Sequence, residues 1–289
     1  MQFEYITTDS LLQKKLEDYS RRKVSTIAMD FEEESNLHVF GEHLCIIQVY
    51  DGSGYAIIDA LQLSKQALDS FLSSPIEKIM FDCGSDCSLC RKTLGIQVQN
   101  VYDVRLDALA LGFTGNLTSV EREVLGIDTE DPSLKKRYQK ANWMKRPIAQ
   151  AQLEYALGDV EHLFDLKEKL GERVLALDSQ VQKDLRKDQA SCALQKNPER
   201  PGWEKICNYK LLRKDQRIMI KHLFLARQDI AMKRNVPASW VLEKGLIVQM
   251  ACSMALSEQV PANLKSHFQN AIDNAREELS GPASAHKPS

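Results

Sequence analysis

The sequence predicts an α/β domain with a mixed β-sheet flanked by helices, followed by a small all-α helical domain. Short apolar strand patterns alternate with helical patterns through the first part of the chain, which is typical of an α/β layer. From Trp203 onward the pattern is wholly helical, and a break at Arg200-Pro201-Gly202 separates the two parts. We therefore predict a first domain over residues 1–195, a second over 203–280 and a disordered tail over 281–289.

The elements of the first domain can be placed in order along the chain. An amphipathic helix comes first, with Asp9 or Ser10 as its cap. Three strands that look antiparallel follow, with a hairpin signal at residues 51–54, and then helices and strands alternate until Pro147 opens a long helix. The predicted segments are TTDSLLQKKLEDYSRR (helix), STIAMDFE, HLCIIQVYD and GYAIIDAL (strands), 63–72 (helix), IEKIMFD (strand), 85–94 (helix), VQNVYDV (strand) and RLDALALGF (helix). This order indicates a mixed sheet.

Composition excludes several classes of protein. Hydrophobic residues make up 43% of the chain and charged residues 27%, which is ordinary for a globular protein. No apolar run approaches the ~20 residues of a membrane-spanning helix, and the N-terminal segment lacks the pattern of a secretory signal. The seven cysteines are scattered without a disulfide-like framework. We expect a cytoplasmic protein with no membrane partner.

The charge is unevenly distributed. The net charge is −2, but residues 200–289 hold 14 Lys and Arg against 8 Asp and Glu. The remaining residues hold 24 basic against 32 acidic side chains. A basic C-terminal third can hold phosphates, and an acidic body can attract cations.

Two acidic residues follow the first apolar strand. Asp30 and Glu32 stand two residues apart in TIAMDFEEE. Alternate side chains of a strand share a face, so the two carboxylates point the same way and could share one ion. The same letters also fit a solvated acidic strand end, because Glu33 and Glu34 come next.

Two further segments supply candidate ligands. Asp86 follows the strand in KIMFDCGSD, where it either faces a cleft or caps a helix, and Asp82 is its nearest competitor. Tyr155 and Asp159 are four residues apart in LEYALGDVEHL, which places them on one helical face, although a buried tyrosine beside a surface aspartate fits as well. Together, four carboxylates and a phenol suit a site in which two divalent ions assist phosphoryl transfer.

These motifs resemble those of bacterial ribonuclease D, a member of the exonuclease superfamily named for its four acidic ligands. The resemblance is carried by STIAMDFEEE, by HLCIIQV, by KIMFDCGSDCSLCRKTLGIQVQNVYDVRLDALALG and by NWMKRPIAQAQLEYALGDVEHL, and it covers about residues 20–170. It implies a ribonuclease H-like fold for the first domain. A sister branch has a histidine at the position of Glu154, so the chain looks like the tyrosine branch of the superfamily.

The resemblance also implies an activity. Asp30, Glu32, Asp86 and Asp159 would hold two divalent ions, Mg²⁺ or Mn²⁺, and Tyr155 would orient or help deprotonate the attacking water. The implied reaction is 3′-5′ hydrolysis of single-stranded or 3′-overhanging RNA, which releases nucleoside 5′-monophosphates. Processing of tRNA precursors or other structured RNA by a monomer follows from the family alone. A 3′-5′ DNA exonuclease and a non-catalytic RNA-binding protein on the same fold are the alternatives.

Some residues depart from the family pattern or have less certain roles. The family usually has His where Phe81 stands and a Thr-like residue where Phe31 stands. We expect Phe31 to stack on the terminal base, because any base can stack on an aromatic face. Asp103 is expected to support the site by hydrogen bonding, and Arg146 either contacts phosphate or fixes its loop.

Two patterns remain outside the nuclease motifs. Cys83, Cys87 and Cys90 share one helical face, and buried packing on the sheet explains them better than zinc does, because no second ligand pair follows. The segment after residue 203 resembles the HRDC-like domain of RecQ-type helicases and ribonuclease D, a nucleic-acid-binding module. Its Trp203 and Trp240 are predicted to be core anchors, in preference to the alternative of base-stacking platforms.

Overall fold

A computed structural model describes residues 1–127, 137–138, 140–195 and 199–280. Contacts divide the chain into two compact units, one of Met1–Glu34 with Glu42–Lys196 and one of Ser35–Gly41 with Asn197–Ser289. The division lies close to the predicted boundary between residues 195 and 203. The inclusion of residues 35–41 in the second unit was not predicted. The predicted tail over 281–289 lies outside the described residues.

The first unit contains a six-stranded mixed sheet, which confirms the predicted fold class. Its order is β1-β4-β3-β2-β5-β6. The pairs β1/β4, β2/β5 and β5/β6 are parallel, and β3/β4 is antiparallel. The strands are β1 (Phe3–Ile6), β2 (Thr26–Ser35), β3 (Glu42–Tyr50), β4 (Tyr55–Ile58), β5 (Glu77–Met80) and β6 (Val101–Asp103).

Strand β1 was missed from the sequence. Only Ile6 of its four residues is buried, so the segment has no apolar run to mark it. It forms because it pairs with β4, which lies about fifty residues further along the chain. A short edge strand of this kind is specified by its neighbour in the sheet more than by its own residues.

Helices cover the sheet. Those of the first unit are α1 (Asp9–Arg22), α2 (Lys65–Leu72), α3 (Gly84–Leu89), α4 (Val104–Ala110), α5 (Leu117–Leu125), α6 (Gln150–Glu161), α7 (Leu163–Val174) and α8 (Ser179–Ser191). Short 3₁₀ or π turns occupy Ala60–Gln62 and Cys90–Leu94. Within the described ranges, no helix combines the length and the apolar character that a membrane span requires.

Two helix predictions need correction. Thr8, and not Asp9 or Ser10, caps α1, because its side chain accepts a hydrogen bond from the Leu11 N–H. Asp9 instead accepts from the backbone of Ser64. The long helix expected from Pro147 begins at residue 150 and is interrupted at residue 162, so it forms two helices, α6 and α7.

The two faces of β2 have different roles. Met29 and Phe31 belong to the apolar cluster that includes residues of α1, α2 and α3. Ala28 belongs to the opposite cluster, with residues of α4, α5, α6 and α7. The cysteines of the KIMFDCGSDCSLC segment are buried in the first cluster, which confirms the packing prediction for Cys83, Cys87 and Cys90.

The second unit has its own apolar core, as its helical pattern predicted. Its helices are α9 (Lys214–Arg234), α10 (Ala238–Val241), α11 (Lys244–Ser253) and α12 (Lys265–Ser280), with 3₁₀ turns at Gly202–Lys205, Tyr209–Leu211 and Ala262–Leu264. Leu223, Met250 and Phe268 lie at the centre of the core, and Phe40 packs against it from the 35–41 segment. The core is separate from those of the first unit.

Candidate active site

Asp30 and Glu32 lie in β2, just beyond the part of the strand that pairs with β5. The ladder between these strands runs as far as the pair of Ala28 and Ile79. Because side chains alternate along a strand, both carboxylates point to the face of Ala28. Both are partly exposed. The strand continues to Ser35 instead of ending at the acids, and the opening next to them arises because β5 is short.

Asp86 lies in the first turn of α3, and a hydrogen-bonded turn connects it to β5. Asp82 has a left-handed backbone (φ 60°) in that turn. The Asp103 carboxylate accepts hydrogen bonds from the N–H groups of Asp82 (2.8 Å) and Cys83 (3.1 Å), and also from Arg105 (3.0 Å). Asp103 therefore makes the predicted hydrogen bonds and fixes the start of α3. No side-chain hydrogen bond caps that helix, but Asp86 lies in its first turn, where the helix N-terminus favours an acidic residue, so the electrostatic capping role remains an alternative.

Tyr155 and Asp159 lie one turn apart on α6, as their spacing predicted. The helix packs on the sheet through Leu153 and Leu157, which join Ile46 and Ile57 in one apolar cluster. This packing leaves the Tyr155 and Asp159 side chains partly exposed. The Tyr155 ring lies 4.8 Å from the ring of Tyr138, measured between centroids, at an angle of 34°.

The four carboxylates are close enough to affect one another's protonation. Burial raises the pKa of Asp30 well above its usual range, and the charges of Asp159, Asp86 and Glu32 raise it further. The pKa of Glu32 is raised by burial, then by Asp159 and Asp86. Burial raises the pKa of Asp86 to about 7, and Glu33 contributes to that shift. Strand β2, helix α3 and helix α6 thus bring the predicted carboxylates into one electrostatic cluster.

Tyr155 belongs to the same cluster. Burial raises the pKa of its phenol, and the charges of Asp159, Glu32 and Asp30 raise it further. A phenol whose ordinary pKa is already about 10 therefore stays protonated at neutral pH. In that state Tyr155 can donate a hydrogen bond from its hydroxyl group and accept another.

The donor set of the cluster fits divalent metal ions. All four acids offer carboxylate oxygens, which are the ligands that Mg²⁺ and Mn²⁺ prefer. Like charges held together in a partly buried site repel one another, and a bound cation would relieve that repulsion. Among the residues that the structure describes, no three His, Cys, Asp or Glu side chains are already arranged to hold a metal ion. The fit of the cluster to divalent metal ions therefore rests on its carboxylate oxygen donors and on its concentrated negative charge.

Phe31 does not have the environment that was predicted for it. Its side chain is only 6% exposed and lies in the apolar cluster on the face of β2 opposite Asp30 and Glu32. A buried ring offers no face to a nucleotide base, so the predicted stacking role for Phe31 is wrong. Phe81 is partly exposed, and the Arg105 guanidinium lies 5.7 Å from its ring centroid.

Arg146 fixes its loop, the second of the two roles that the sequence left open. Its Nε and Nη2 donate to the two carboxylate oxygens of Asp59, at 2.6 and 2.7 Å. Its Nη1 donates to the Trp143 carbonyl, and its Nη2 also donates to the Cys45 carbonyl. Because its donors are engaged within the protein, Arg146 is not available to a phosphate in this arrangement.

Sequence reasoning missed Asp59. Its side chain is fully buried and accepts hydrogen bonds from Tyr5 and Gln62 as well as from Arg146. The hydrogen bonds to Arg146, together with these two, hold the pKa of Asp59 below its usual value although burial acts in the opposite direction. An aspartate directly after the apolar run YAII is the signal in the sequence, but nothing there identifies its partner 87 residues away.

Comparison with known proteins identifies the family of this chain. Residues 3–175 match the 3′-5′ exonuclease family, which accounts for more than half of the chain. The chain belongs to this family. The exonuclease superfamily generally uses two divalent metal ions, in agreement with the donor set described above.

Individual relatives are more distant. Ribonuclease D of Nitrobacter hamburgensis is 25% identical over 275 residues, which cover 91% of this chain and 68% of the relative. Ribonuclease D of a Shewanella species is 24% identical over 268 residues, with 89% and 62% covered. The chain thus spans about two thirds of the length of these relatives.

A solved structure shares the fold. The crystal structure of Escherichia coli RNase D, described as an exoribonuclease involved in structured RNA processing, superposes with a TM-score of 0.73. The match covers 98% of this chain and 76% of that chain, at 24% sequence identity. Similarity at that level of identity establishes the architecture, and the chemistry has to be argued from the site itself.

Proposed function

We propose that this chain is a 3′-5′ exoribonuclease of the ribonuclease D type, which removes nucleoside 5′-monophosphates from the 3′ end of RNA. The observation that carries the proposal is the electrostatic cluster of Asp30, Glu32, Asp86, Asp159 and Tyr155. Three elements far apart in the sequence contribute to it, and each contributes the residues that the motifs predicted. Membership of the exonuclease family supports the reaction type.

In this proposal Asp30, Glu32, Asp86 and Asp159 would hold two divalent ions. When bound, such ions activate the attacking water, stabilise the leaving 3′ oxygen and neutralise charge on the phosphate. The four carboxylates must be ionised to bind cations, so the raised pKa values of Asp30, Glu32 and Asp86 make binding pH-dependent. Since the two ions would share the four carboxylates as ligands, removal of any one would weaken the site for both ions.

Tyr155 acts as a hydrogen-bonding group on the attacking water. Its phenol stays protonated at neutral pH because burial and the neighbouring carboxylates both disfavour the phenolate. A neutral phenol is a poor proton acceptor, so we assign Tyr155 the orienting role and not the role of general base. Its ring is positioned by contact with Tyr138 and by the packing of α6 on the sheet.

Asp103 acts through the backbone and not on the substrate. Its carboxylate holds the turn that begins α3, and its own backbone N–H donates to the Gln189 side chain (2.9 Å). The Gln189 amide in turn donates to the Asp103 carbonyl (2.9 Å) and to Asp107 (3.1 Å). This network makes Asp103 a positioning residue for Asp86.

RNA is the substrate we favour. The relatives that match about nine tenths of this chain are named ribonuclease D, and the E. coli protein is described as an exoribonuclease involved in structured RNA processing. Processing of the 3′ ends of tRNA precursors or of other structured RNA is the corresponding cellular role. The metal ligands themselves do not distinguish ribose from deoxyribose, because that distinction needs a contact to the 2′-hydroxyl. A DNA exonuclease is therefore the second candidate.

The test compares the wild-type chain with Asp30→Ala on 3′-labelled and 5′-labelled single-stranded RNA and on matched DNA. Each substrate is incubated with Mg²⁺, Mn²⁺ or EDTA. We expect stepwise loss of 3′ nucleotides from RNA that is abolished by EDTA and by the substitution. Equal or faster decay of DNA would favour the second candidate. Retained binding without metal-dependent decay of either substrate would contradict a catalytic role.

A further inference from the structure

The two tryptophans of the second unit have different environments. Trp203 is partly buried against the core, with its ring 6.3 Å from that of Phe224 in a T-shaped arrangement. The prediction of a core anchor is confirmed for Trp203. Trp240, on α10, is 68% exposed, so the same prediction is wrong for Trp240. An indole this exposed contributes little to the apolar core.

Trp240 lies at a groove with both apolar and amide groups. The groove has a volume of about 600 Å³. Its lining includes Ser239, Trp240, Leu242, Gln249, Gln259 and Pro261. The indole offers a flat π-face, and the two glutamine amides offer hydrogen-bond donors and acceptors. This combination matches an unpaired nucleotide base, which has two flat faces and a polar edge.

Positive charge flanks the exposed indole. Lys233 and Arg234 end α9 seven and six residues before Trp240, and Lys244 begins α11 four residues after it. All three are exposed, and Lys233 is paired with Asp229 at 2.6 Å. Glu243 is the acidic residue of the groove lining. It lies close enough to Arg227 to oppose the lowering of the Arg227 pKa that burial causes. The surroundings of Trp240 thus suit a ligand that carries phosphates.

We propose that Trp240 is a stacking platform for an unpaired base of single-stranded RNA, with the flanking cations on its phosphates. This proposal rests on the proposed function, because it takes RNA as the ligand of the chain. Groove amides and nearby cations favour a nucleic acid over an apolar protein segment. Arg234 and Lys244, exposed and close to Trp240 in the sequence, can contact phosphates, which an apolar protein segment does not carry.

The first experiment uses the fluorescence of the full chain. Trp143 is 3% exposed and Trp203 is partly buried, so Trp240 is the tryptophan most open to a bound base. A uridine oligomer titrated in EDTA, where hydrolysis is prevented, is expected to quench the emission. Trp240→Ala should raise Kd about tenfold, which corresponds to about 1.4 kcal/mol. Trp240→Phe keeps an aromatic face and should recover most of the affinity.

A matched control removes a different exposed apolar side chain of the same unit. Leu211 is 82% exposed and does not line the groove, so Leu211→Ala should leave Kd unchanged. The double variant Lys233→Gln, Arg234→Gln should weaken binding. The slope of log K against log salt concentration should also fall by about one unit for each phosphate contact that is lost. An unchanged Kd for Trp240→Ala, or no quenching of the wild type at saturation, would overturn the stacking assignment.

A second measurement separates this inference from the proposed function. The 4-nitrophenyl ester of a nucleoside 5′-monophosphate is a small substrate that tests phosphodiester hydrolysis without a long chain. Trp240→Ala should hydrolyse this ester at the wild-type rate while it binds RNA more weakly. If the wild type binds RNA through Trp240 but does not hydrolyse RNA or the ester, the nuclease proposal fails and the stacking site stands. If the wild type hydrolyses RNA and Trp240→Ala has no effect on Kd, the nuclease proposal stands and the stacking site fails.

Discussion

The first unit contains two groups of acidic residues whose pKa values are shifted in opposite directions. Asp59 is fully buried, but Arg146, Tyr5 and Gln62 all donate to it and its pKa is lowered. In the carboxylate cluster, burial and the charges of Asp159 and Asp86 instead raise the pKa values of Asp30 and Glu32. Asp59 has its cation, Arg146, within the fold.

This difference distinguishes structural from functional acids. A buried carboxylate that is paired within the protein stabilises the fold and is unavailable for chemistry. Carboxylates that repel one another destabilise the folded state unless a ligand supplies positive charge, and groups of this kind concentrate at functional sites. The same domain therefore contains an internal control for each prediction about its active site.

The largest expected effect is on catalysis. Asp30→Asn should reduce RNA hydrolysis at least about a thousandfold, or about 4 kcal/mol, because it removes a carboxylate that two ions need. The same substitution should raise the stability of the metal-free protein by about 1 kcal/mol, because it relieves like-charge repulsion. Initial rates and urea denaturation in EDTA measure the two effects. Lower activity together with lower metal-free stability would indicate a structural role for Asp30.

Asp59→Asn should show the opposite pattern. It leaves the Arg146 guanidinium without its carboxylate, which should cost about 3 kcal/mol of stability. Activity per folded molecule should fall much less than in Asp30→Asn, because Asp59 is not in the carboxylate cluster. Urea denaturation and rates corrected for the folded fraction provide the test, and a loss of activity without a loss of stability would contradict it.

The two groups should also differ in pH dependence. The pKa of Asp86 is raised from 3.8 to about 7, so its contribution to stability is full below about pH 4 and is lost as pH rises through 7. Asp30 and Glu32 shift in the same direction. The pKa of Asp59 is lowered, so its contribution is present above 3.8 and is lost as pH falls below it.

Melting curves between pH 5 and 8 measure this difference. In EDTA, the Tm advantage of Asp30→Asn over the wild type should grow as pH rises, and Mg²⁺ should reverse it by stabilising the wild type. The difference between Asp59→Asn and the wild type should stay nearly constant over the same range. A Tm advantage of Asp30→Asn that does not change with pH would show that the cluster does not titrate there.

The smallest effect concerns Tyr155. Tyr155→Phe should lower kcat by about ten- to a hundredfold and leave the affinity for Mn²⁺ unchanged, because the phenol orients water and is not a metal ligand. Since the phenol stays protonated, the wild type should show no inflection in its pH–rate profile from Tyr155 up to about pH 10. An alkaline inflection that is absent from Tyr155→Phe would instead indicate a phenolate acting as base.

The places of the candidate site residues in the fold could be predicted from the sequence because these residues lie on elements with clear periodicity. Asp30 and Glu32 follow an apolar strand, and Tyr155 and Asp159 keep helical spacing. The same alternation already placed Phe31 on the opposite face from its acidic neighbours, so its burial could have been inferred. The stacking prediction for Phe31 considered the chemistry of its ring but not the face of the strand on which the ring lies.

Other features depend on contacts that no local pattern contains. Arg146 and Asp59 are 87 residues apart, and their pairing arises only when the sheet forms. Strand β1 is specified by β4, and Asp103 acts on a turn 20 residues earlier. Trp240 has the same apolar character as Trp203, and only the packing of α10 leaves it exposed. Long-range pairing and the choice of buried face are the parts that sequence alone does not determine.

The most direct test of the central claim is the binding of Mn²⁺ to the metal-free chain, measured by calorimetry or by electron paramagnetic resonance. We predict two ions per wild-type chain at saturation, a clear loss of binding in Asp30→Asn and wild-type binding in folded Asp59→Asn. Wild-type Mn²⁺ binding by Asp30→Asn would contradict the assignment of the raised-pKa carboxylates as one cation site.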